Sequence, residues 1–340
     1  QLFRILFKPD KNGPEYKAVV AAAQRAQGSH AAQQQGPGLR LGHGCHGAGE
    51  GASGIAGVRA AQVDLDAAGA GLVAGGGQDL RQLFVLFAGD VEVVLAQHLL
   101  GKGVAVTVIE AADRILKRVA CAETANDVRA LHQAHGVRIF ENASITRIVG
   151  EDGIASGVEL SDGSVISADF IVTGIGVDPD TALAEAAGLA VANGIAVNSQ
   201  LQTSDPAIYA IGDCASFPYK DDMVRLESVQ NAHDMGIVAA QNILDGHVDY
   251  KPVPWFWSDQ FDLKLQIAGL NRGYDNVITR PGAREGAKSH FYFKGDEFLA
   301  VDCLNDGATY MIARRLLETG KTVTRAEEND HALNLKSLLN

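Results

Sequence analysis

Several things that the sequence lacks narrow the kinds of protein it can encode. Its four cysteines form no C-x-x-C pair, which argues against a relay that needs two neighbouring thiols. Positive charge is not in excess: a net charge of −12 argues against nucleic acid or an anionic membrane as the main partner. No apolar run approaches the roughly 18 residues that span a bilayer, and residues 1–7 are too short for a secretory signal. We therefore expect a cytoplasmic protein.

The composition changes once along the chain, near residue 91. A length of 340 residues favours two or three domains, and 46% hydrophobic with 21% charged residues is ordinary for a globular protein. Residues 1–90 are rich in Gly, Ala and Gln and show little apolar periodicity. Two strings, 42–47 and 49–54, match G-x-G-x-x-G, but neither follows an apolar strand, so we interpret them as loop. The spacing of His43, Cys45 and His46 fits no common zinc pattern.

From residue 91 onward, helical and strand-like segments alternate, and a proline-bracketed junction at 252–254 precedes strand-rich text. The patterns predict helices at 92–100, 121–135, 181–189, 228–244 and 309–319. They predict strands at 104–109, 137–140, 157–160, 165–166, 170–173, 208–211, 263–269, 276–280, 290–293 and 298–301.

The segment 203–215, TSDPAIYAIGDCA, is the most informative stretch. Its apolar strand ends in Gly212 and Asp213, and ligands bind at the carboxyl ends of strands in open α/β sheets. Gly212 allows a close backbone approach, and Asp213 can accept a hydrogen bond from a sugar-like hydroxyl. A strand followed by a tight turn with a capping Asp is the simpler alternative.

A second carboxylate, Glu110, ends the predicted strand 104–109. A carboxylate at this position in a Rossmann unit binds the adenosine ribose hydroxyls and repels a 2′-phosphate. Arg114, Lys117 and Arg118 follow closely and could instead accommodate NADP. Charged residues also end many strands without binding anything.

Three motifs in order carry a family resemblance: 203–215, 225–232 (RLESVQNA) and 254–260 (PWFWSDQ). Together they resemble the FAD-dependent ferredoxin reductases that serve oxygenases, the group of putidaredoxin reductase and rhodocoxin reductase. The resemblance covers about residues 91–340 and excludes 1–90. It implies the α/β two-dinucleotide-binding-domain flavoprotein reductase fold, with an incomplete N-terminal FAD half and a C-terminal α+β domain. The implied domains are 1–90 (atypical), 91–178 (NAD(P)-binding), 179–253 (the remaining FAD-binding half) and 254–340 (C-terminal reductase domain).

The resemblance also implies roles for individual residues. Gly212 and Asp213 would bind FAD, and the amides that begin the next helix would face the flavin. Trp255 and Trp257 would lie near the isoalloxazine and the partner surface, although core anchors are the alternative. At the start of the helix, the implied positions are Ser228, Val229 and Gln230. Gly174 and Gly176 are implied where the chain passes close to the cofactor, although a plain glycine turn is the alternative. Glu110 and Arg114 are the implied positions for NAD(P). No catalytic side chain and no metal ligand are implied, and His132, His135 and His233 are interpreted as helix-surface residues.

The implied reaction passes electrons from NADH through FAD to a [2Fe–2S] ferredoxin of an oxygenase system. NADPH in place of NADH stays open, as does a homodimer. Two alternatives remain. One is a non-catalytic remnant of such a reductase that keeps only partner or dimer contacts; the other is an NADH-dependent reductase of quinones or nitrogen compounds.

One departure from the family is severe. Its three nucleotide-fingerprint glycines align with Val85, Phe87 and Asp90, where a Phe side chain blocks the phosphate approach and Asp90 adds like charge. The first FAD fingerprint is missing as well. We hypothesise that residues 1–90 are an out-of-frame or misjoined translation, which reading the encoding DNA in six frames would test.

Overall fold

The computed structural model describes residues 3–7, 82–87, 91–101, 103–151, 154–174, 178–329 and 335–339. The chain divides into two compact units. Residues 1–47 and 177–254 form the first unit, and residues 48–176 and 255–340 form the second. The strings 42–47 and 49–54, together with His43, Cys45 and His46, lie outside the described residues.

Strands outnumber helices among the described residues. The strands, in chain order, are β1 Phe3–Phe7, β2 Gln82–Phe87, β3 Ala105–Ile109, β4 Arg138–Phe140, β5 Ile145–Glu151, β6 Ile154–Leu160, β7 Val165–Ser167, β8 Phe170–Gly174, β9 Val191–Ala192, β10 Gly194–Ala196, β11 Ile208–Gly212, β12 Ala215–Tyr219, β13 Asp222–Val224, β14 Trp255–Gln260, β15 Leu263–Gly269, β16 Asn276–Pro281, β17 Lys288–Lys294 and β18 Glu297–Leu304. The helices are α1 Val91–Leu100, α2 Ala122–Ala134, α3 Ala182–Ala186, α4 Val229–Ile243, α5 Gly307–Thr319 and α6 Arg325–Asn329, with a 3-10 helix at Leu335–Leu339.

A parallel sheet forms the part of the second unit to which the sequence assigns NAD(P) binding, and we call it the predicted nucleotide-binding part. Its order is β4-β3-β2-β8, and every described pairing in it is parallel. This is the order of half of a Rossmann fold, with β2 in the position of the first strand. Strand β3 is apolar and mostly buried, as expected for a parallel strand covered on both faces.

Strand β2 corrects the sequence-based expectation for its region. Val85 and Phe87 were expected in the phosphate-binding turn, but both lie within β2, paired with β8. The continuous apolar text from residue 83 to 87 favours a strand that runs through these positions. Strand β2 ends at Phe87 and α1 begins at Val91, and residues 88–90, Asp90 among them, lie outside the described residues. The parallel sheet includes β2 and so begins before residue 91, the position at which the composition suggested a domain boundary.

A five-stranded antiparallel sheet, in the order β14-β15-β18-β17-β16, forms the C-terminal part of the second unit. One of its faces packs against α5 and the 3-10 helix, around a core that includes Phe291, Phe293 and Leu316. Helix α5 begins at the cap Asp306, whose side chain accepts from the Thr309 amide, and ends at a left-handed glycine.

The other face of this sheet receives helix α2 of the predicted nucleotide-binding part. The Cys121 amide donates to the Tyr292 hydroxyl (2.7 Å), which in turn donates to Asp302. Thr124 donates its hydroxyl proton to the same Asp302 oxygen at 2.7 Å. All four residues are buried, and burial together with the nearby Asp302 raises the pKa of Tyr292, so its hydroxyl remains a donor. A buried polar network therefore joins the start of α2 to the five-stranded sheet.

The first unit holds a smaller set of strands and one long helix. Strand β11 pairs with β1 in antiparallel register, and a four-stranded sheet has the order β13-β12-β10-β9. Helix α4 packs against β11. A Rossmann sheet would place parallel neighbours beside β11; its described partner here is antiparallel instead.

The predicted helices and strands are confirmed, with ends that shift by no more than three residues. The helix predicted at 181–189 is shorter, because it ends at Ala186 before the left-handed Gly188. No helix among the described residues is both long and apolar enough to cross a bilayer.

Helix α6 carries a carboxylate that the sequence did not single out. Glu328 is fully buried, and its Oε1 lies 3.5 Å from Nη1 of Arg280 on β16. Burial raises the pKa of Glu328 to about 7, and the Arg280 guanidinium opposes this shift without cancelling it.

Stability is expected to fall as the pH rises through the titration of Glu328. An ordinary Glu ionises near 4.5 and the folded one near 7, so between these values the folded state binds the extra proton. The free energy of unfolding should drop by about 2 to 3 kcal/mol over this interval, and Glu328→Gln should remove that part of the slope. Denaturant unfolding at a series of pH values measures it, with the exposed Glu285→Gln as the control. Equal slopes for wild type and Glu328→Gln would contradict the prediction.

Candidate nucleotide and acceptor sites

The turn after β11 brings backbone and carboxylate together in the first unit. Gly212 ends the strand with φ +81°, a left-handed conformation that favours glycine. Its amide donates to the Met235 sulfur of α4 at 3.4 Å, which holds the strand end on the helix. Asp213 follows directly, as the sequence predicted, and is half-buried.

Asp213 lies close to the start of α4. Burial and the neighbouring Glu227 charge raise the pKa of Asp213, while the Ser228 backbone amide acts in the opposite direction as a hydrogen-bond donor. A half-buried carboxylate of this kind gains stability from a further donor. A sugar hydroxyl of a bound nucleotide would supply one.

Arg225 holds the Gly212–Asp213 turn in place through hydrogen bonds. The sequence did not indicate this role, although Arg225 is the first residue of the motif 225–232. Its guanidinium donates to the Asp213 carbonyl oxygen (3.0 Å), to Glu227 (2.6 Å) and to Asn193 (3.2 Å). Gly194 leaves room for the Arg225 side chain and for the chain after Asp213. A Cβ at Gly194 would lie 2.9 Å from Cδ of Arg225 and 2.6 Å from the Cys214 carbonyl oxygen.

Helix α4 begins as predicted, with Ser228 as its cap. The Ser228 hydroxyl accepts from the Asn231 amide at 3.1 Å. The amides of Val229 and Gln230 belong to the first turn, where a helix offers them no internal acceptor. Val229 is 70% exposed, whereas the Gln230 side chain donates to Asp234 on the same helix.

Asn231 anchors the first turn of α4 from inside. Its side-chain amide donates to the Leu226 carbonyl oxygen (3.2 Å) and accepts from the Tyr250 hydroxyl (2.9 Å). Burial raises the pKa of Tyr250, which keeps its hydroxyl a donor. The position of the helix start is thus set by buried hydrogen bonds, and no sequence pattern indicated them.

In the second unit, Glu110 and Gly174 lie at one edge of the parallel sheet. Glu110 directly follows β3, is 8% exposed, and accepts from the Ala112 amide at 2.7 Å. Gly174 ends β8 and pairs with Phe87 of β2, so it lies where the strand order reverses. Nucleotides bind at this switch point in open α/β sheets. Gly176 lies outside the described residues.

Arg114 lies in the segment that follows Glu110. Its Nη1 atom is buried and finds no hydrogen-bond acceptor among the described residues. An unsatisfied buried donor is costly, so a ligand oxygen at this point would stabilise the chain. Lys117 is exposed and paired with Asp113.

Trp255 and Trp257 share one face of β14, as their spacing predicted. Their rings stack with centroids 5.4 Å apart, and the Arg314 guanidinium lies 4.9 Å from the centre of the Trp255 ring. Trp257 is 57% exposed, which contradicts its interpretation as a core anchor. Met311, also exposed, lies one turn before Arg314 on α5.

His132 corrects another expectation. It was interpreted as a helix-surface residue, but it is fully buried, with Nε2 2.8 Å from Oε1 of Gln260 on β14. Burial lowers the pKa of His132, which therefore stays neutral near pH 7. His132 contacts β14 of the five-stranded sheet, and a contact between such distant segments cannot be predicted from the local sequence. Within the part of the chain that the structure describes, no three or more His, Cys, Asp or Glu residues are arranged to hold a metal ion.

A carboxylate at the switch-point edge of a parallel sheet and a glycine–aspartate turn beside a helix start are features of dinucleotide-binding α/β proteins. The chain belongs to the pyridine nucleotide-disulphide oxidoreductase family, which matches residues 26–236, more than half of its length. Residues 255–339 match the reductase C-terminal family. The first match includes part of the 1–90 segment, which the motif resemblance left out.

Individual relatives agree with this assignment. The chain is 40% identical to rhodocoxin reductase of Rhodococcus erythropolis over 256 residues, 75% of this chain and 60% of the relative. The ferredoxin reductase for the CYP199A2 system of Rhodopseudomonas palustris matches with a TM-score of 0.74 and 37% identity, over 77% of this chain and 65% of that one. The putidaredoxin reductase–putidaredoxin complex matches with a TM-score of 0.72 and 34% identity, over 76% of this chain and 63% of that one.

The family resemblance and the predicted fold class are therefore confirmed. Members of this family use FAD and NAD(P)H, and the relatives are named as ferredoxin reductases. The chain spans about three fifths of the length of rhodocoxin reductase, the first of these relatives.

Proposed function

We propose that this chain passes electrons from NADH through FAD to a [2Fe–2S] ferredoxin of an oxygenase system. The Gly212–Asp213 turn beside the α4 start is the observation that carries the proposal. We assign residues 179–253 to the FAD-binding half and 254–340 to the reductase C-terminal domain. The NAD(P)-binding domain assigned to residues 91–178 is extended at its start to include β2.

The residues of the first unit fit part of an FAD molecule. Asp213 would bind the ribityl or pyrophosphate region of FAD and accept a hydrogen bond from a ribityl hydroxyl there, while Gly212 would admit the ligand close to the backbone. The Val229 and Gln230 amides would face the pyrimidine edge of the flavin. Because the α4 dipole is positive at this end, these amides would stabilise negative charge on the reduced ring.

The second unit offers the complementary half for NADH. Glu110 would bind the adenosine ribose hydroxyls, and Gly174 with Gly176 would let the cofactor lie close to the sheet. The Glu110 carboxylate would repel the 2′-phosphate of NADPH, which favours NADH. Arg114 would donate its unpaired buried N–H group to a nucleotide oxygen.

Trp255 and Trp257 would lie at the surface that meets the ferredoxin. Exposed aromatic and arginine side chains concentrate binding energy at protein interfaces. On the second unit, Trp257 and Met311 are exposed, and Trp255 and Arg314 are half-buried beside them. We name these four residues the tryptophan patch. One solved relative is a putidaredoxin reductase in complex with putidaredoxin, which is consistent with a partner of this kind.

The residues named above would hold FAD and NADH, and these cofactors would supply the hydride transfer and the release of single electrons. Hydride transfer needs no protein acid or base. The side chains of this chain would therefore bind, orient and shield the cofactors.

The first test is FAD stoichiometry after purification and reconstitution. Wild type should be yellow with FAD bound, whereas Asp213→Ala should bind FAD about tenfold or more weakly. Loss of a hydrogen bond to a charged group costs about 1.5 to 3 kcal/mol, which corresponds to this change. Isothermal titration with FAD measures it, and Asp221→Ala, an exposed aspartate of the same unit, is the control.

The outcomes separate the proposal from its alternatives. A colourless chain that cannot be reconstituted would mean a non-catalytic remnant. NADH oxidation with quinones or nitrogen compounds but none with a ferredoxin would mean the other reductase class. Equal FAD affinity in wild type and Asp213→Ala would remove the Asp213 assignment.

A further inference from the structure

The β14–β15 hairpin, which carries both tryptophans, ends in an unusual turn. Gln260 pairs with Leu263, so only Phe261 and Asp262 form the loop. Phe261 has φ +55°, a left-handed conformation that a bulky side chain rarely adopts. Such conformations persist where the surroundings hold them in place, and they concentrate at functional sites.

The surroundings of this turn belong to the predicted nucleotide-binding part of the same unit. The Phe261 amide donates to Oε1 of Gln97 on α1. The Phe261 ring stacks on His135 with centroids 3.7 Å apart and meets His132 edge-on at 4.9 Å. Gln260, the preceding residue, bonds to His132 of α2.

The hairpin is also packed into the core of the predicted nucleotide-binding part. Leu263, the first residue of β15, packs against the core cluster that contains Ala96 and Leu99 of α1. Helix α1 itself packs against β14. We call this set of contacts, made by Gln260, Phe261 and Leu263 with Gln97, His132 and His135, the Phe261 joint.

The joint connects two ends of the proposed electron path. Helix α1 directly follows the β2 turn, where a Rossmann unit holds the pyrophosphate. Its Gln97 holds the turn of the hairpin that bears Trp255 and Trp257. A shift of α1 on nucleotide binding would therefore move β14, and coupling of this kind is reciprocal.

We infer that Gln97, His132 and His135 are positioning residues for the tryptophan patch, acting through Phe261. The inference that nucleotide binding is felt at the patch rests on the proposed function. The positional role does not, because it follows from contacts within the chain.

The test uses the fact that Trp255 and Trp257 are the two tryptophans of the chain, so its tryptophan fluorescence reports this hairpin alone. Phe261→Ala in the full-length chain should shift the emission maximum to the red and increase quenching by acrylamide. Phe261→Tyr keeps the ring and should restore both values. His98→Ala, an exposed residue beside Gln97 on α1, is the matched control and should match wild type.

His135→Ala provides a second route if Phe261→Ala does not fold, because His135 is exposed and its loss removes the stacking partner and one local hydrogen bond, from the ring to the Leu131 carbonyl oxygen. It should shift the emission in the same direction. Wild-type emission and quenching in folded Phe261→Ala or His135→Ala would overturn the positional role.

The coupling is tested by titrating NAD⁺ into each variant. NAD⁺ should change the acrylamide quenching constant of wild type and His98→Ala, but not of Phe261→Ala. An unchanged NAD⁺ response in Phe261→Ala would overturn the coupling. Absence of NAD⁺ binding by calorimetry would count against the proposed function instead, while the nucleotide-free emission would still decide the positional role.

Discussion

Replacing Asp302 by alanine is expected to lower the free energy of unfolding by about 3 to 5 kcal/mol. Asp302 is fully buried and accepts from both Tyr292 and Thr124. Without it, two buried hydroxyls lose their acceptor, and each unsatisfied group costs about 1 to 3 kcal/mol. Because Thr124 lies in the first turn of α2, we also expect α2 to be less firmly held on the C-terminal sheet. Denaturant unfolding followed by circular dichroism measures the loss.

The control for this experiment is Asp296→Ala, an exposed aspartate in the turn between β17 and β18. It should change the free energy of unfolding by no more than about 0.5 kcal/mol. Thr124→Val removes one donor and keeps the shape, so it should be milder than Asp302→Ala. If Asp302→Ala were as stable as Asp296→Ala, the network would contribute nothing that water cannot replace.

Replacing Trp257 by alanine is expected to raise the KM for a [2Fe–2S] ferredoxin about 30-fold, with putidaredoxin as the acceptor used. Truncating an aromatic residue at the centre of an interface costs about 2 kcal/mol or more, which corresponds to that factor. The rate with ferricyanide, which needs no docking surface, should stay within about twofold. Steady-state kinetics with the two acceptors separates docking from flavin reduction.

Ile154→Ala is the matched control for Trp257→Ala, since Ile154 is 74% exposed on β6 and outside the tryptophan patch. It should leave both acceptors unaffected. A fall in the ferricyanide rate equal to the fall with ferredoxin would place Trp257 at the flavin and not at the partner surface.

Local sequence predicted ten of the described strands and the helices α1 to α5, because these depend on neighbouring residues, but it did not predict short strands such as β9, β10, β12 and β13. Apolar runs identified β3 and β11, and the residues after them, Glu110 and Asp213, lie where they were expected. Ser228 caps α4 as predicted. The family resemblance, carried by motifs far apart in the chain, identified the fold that no single motif could establish.

What the sequence could not predict depends on contacts between distant segments. His132 looks like a surface residue of an amphipathic helix until α2 meets β14, and Asp302 looks like an ordinary strand residue until Thr124 reaches it. Arg225 fixes the Asp213 turn through acceptors on separate segments. Strand β2 was missed because the family pattern places a glycine turn there, whereas the residues themselves favour a strand.

The position of α1 on β14 also bears on how the C-terminal domain can be handled in isolation. Strand β14 is the outer strand of its sheet, and α1, from a separate stretch of the chain, packs against it. Outer strands with free backbone groups and bare aromatic side chains promote self-association. An excised fragment starting at residue 255 would present this border to solvent, which makes it a poor candidate for expression alone and favours keeping α1 in any truncated design.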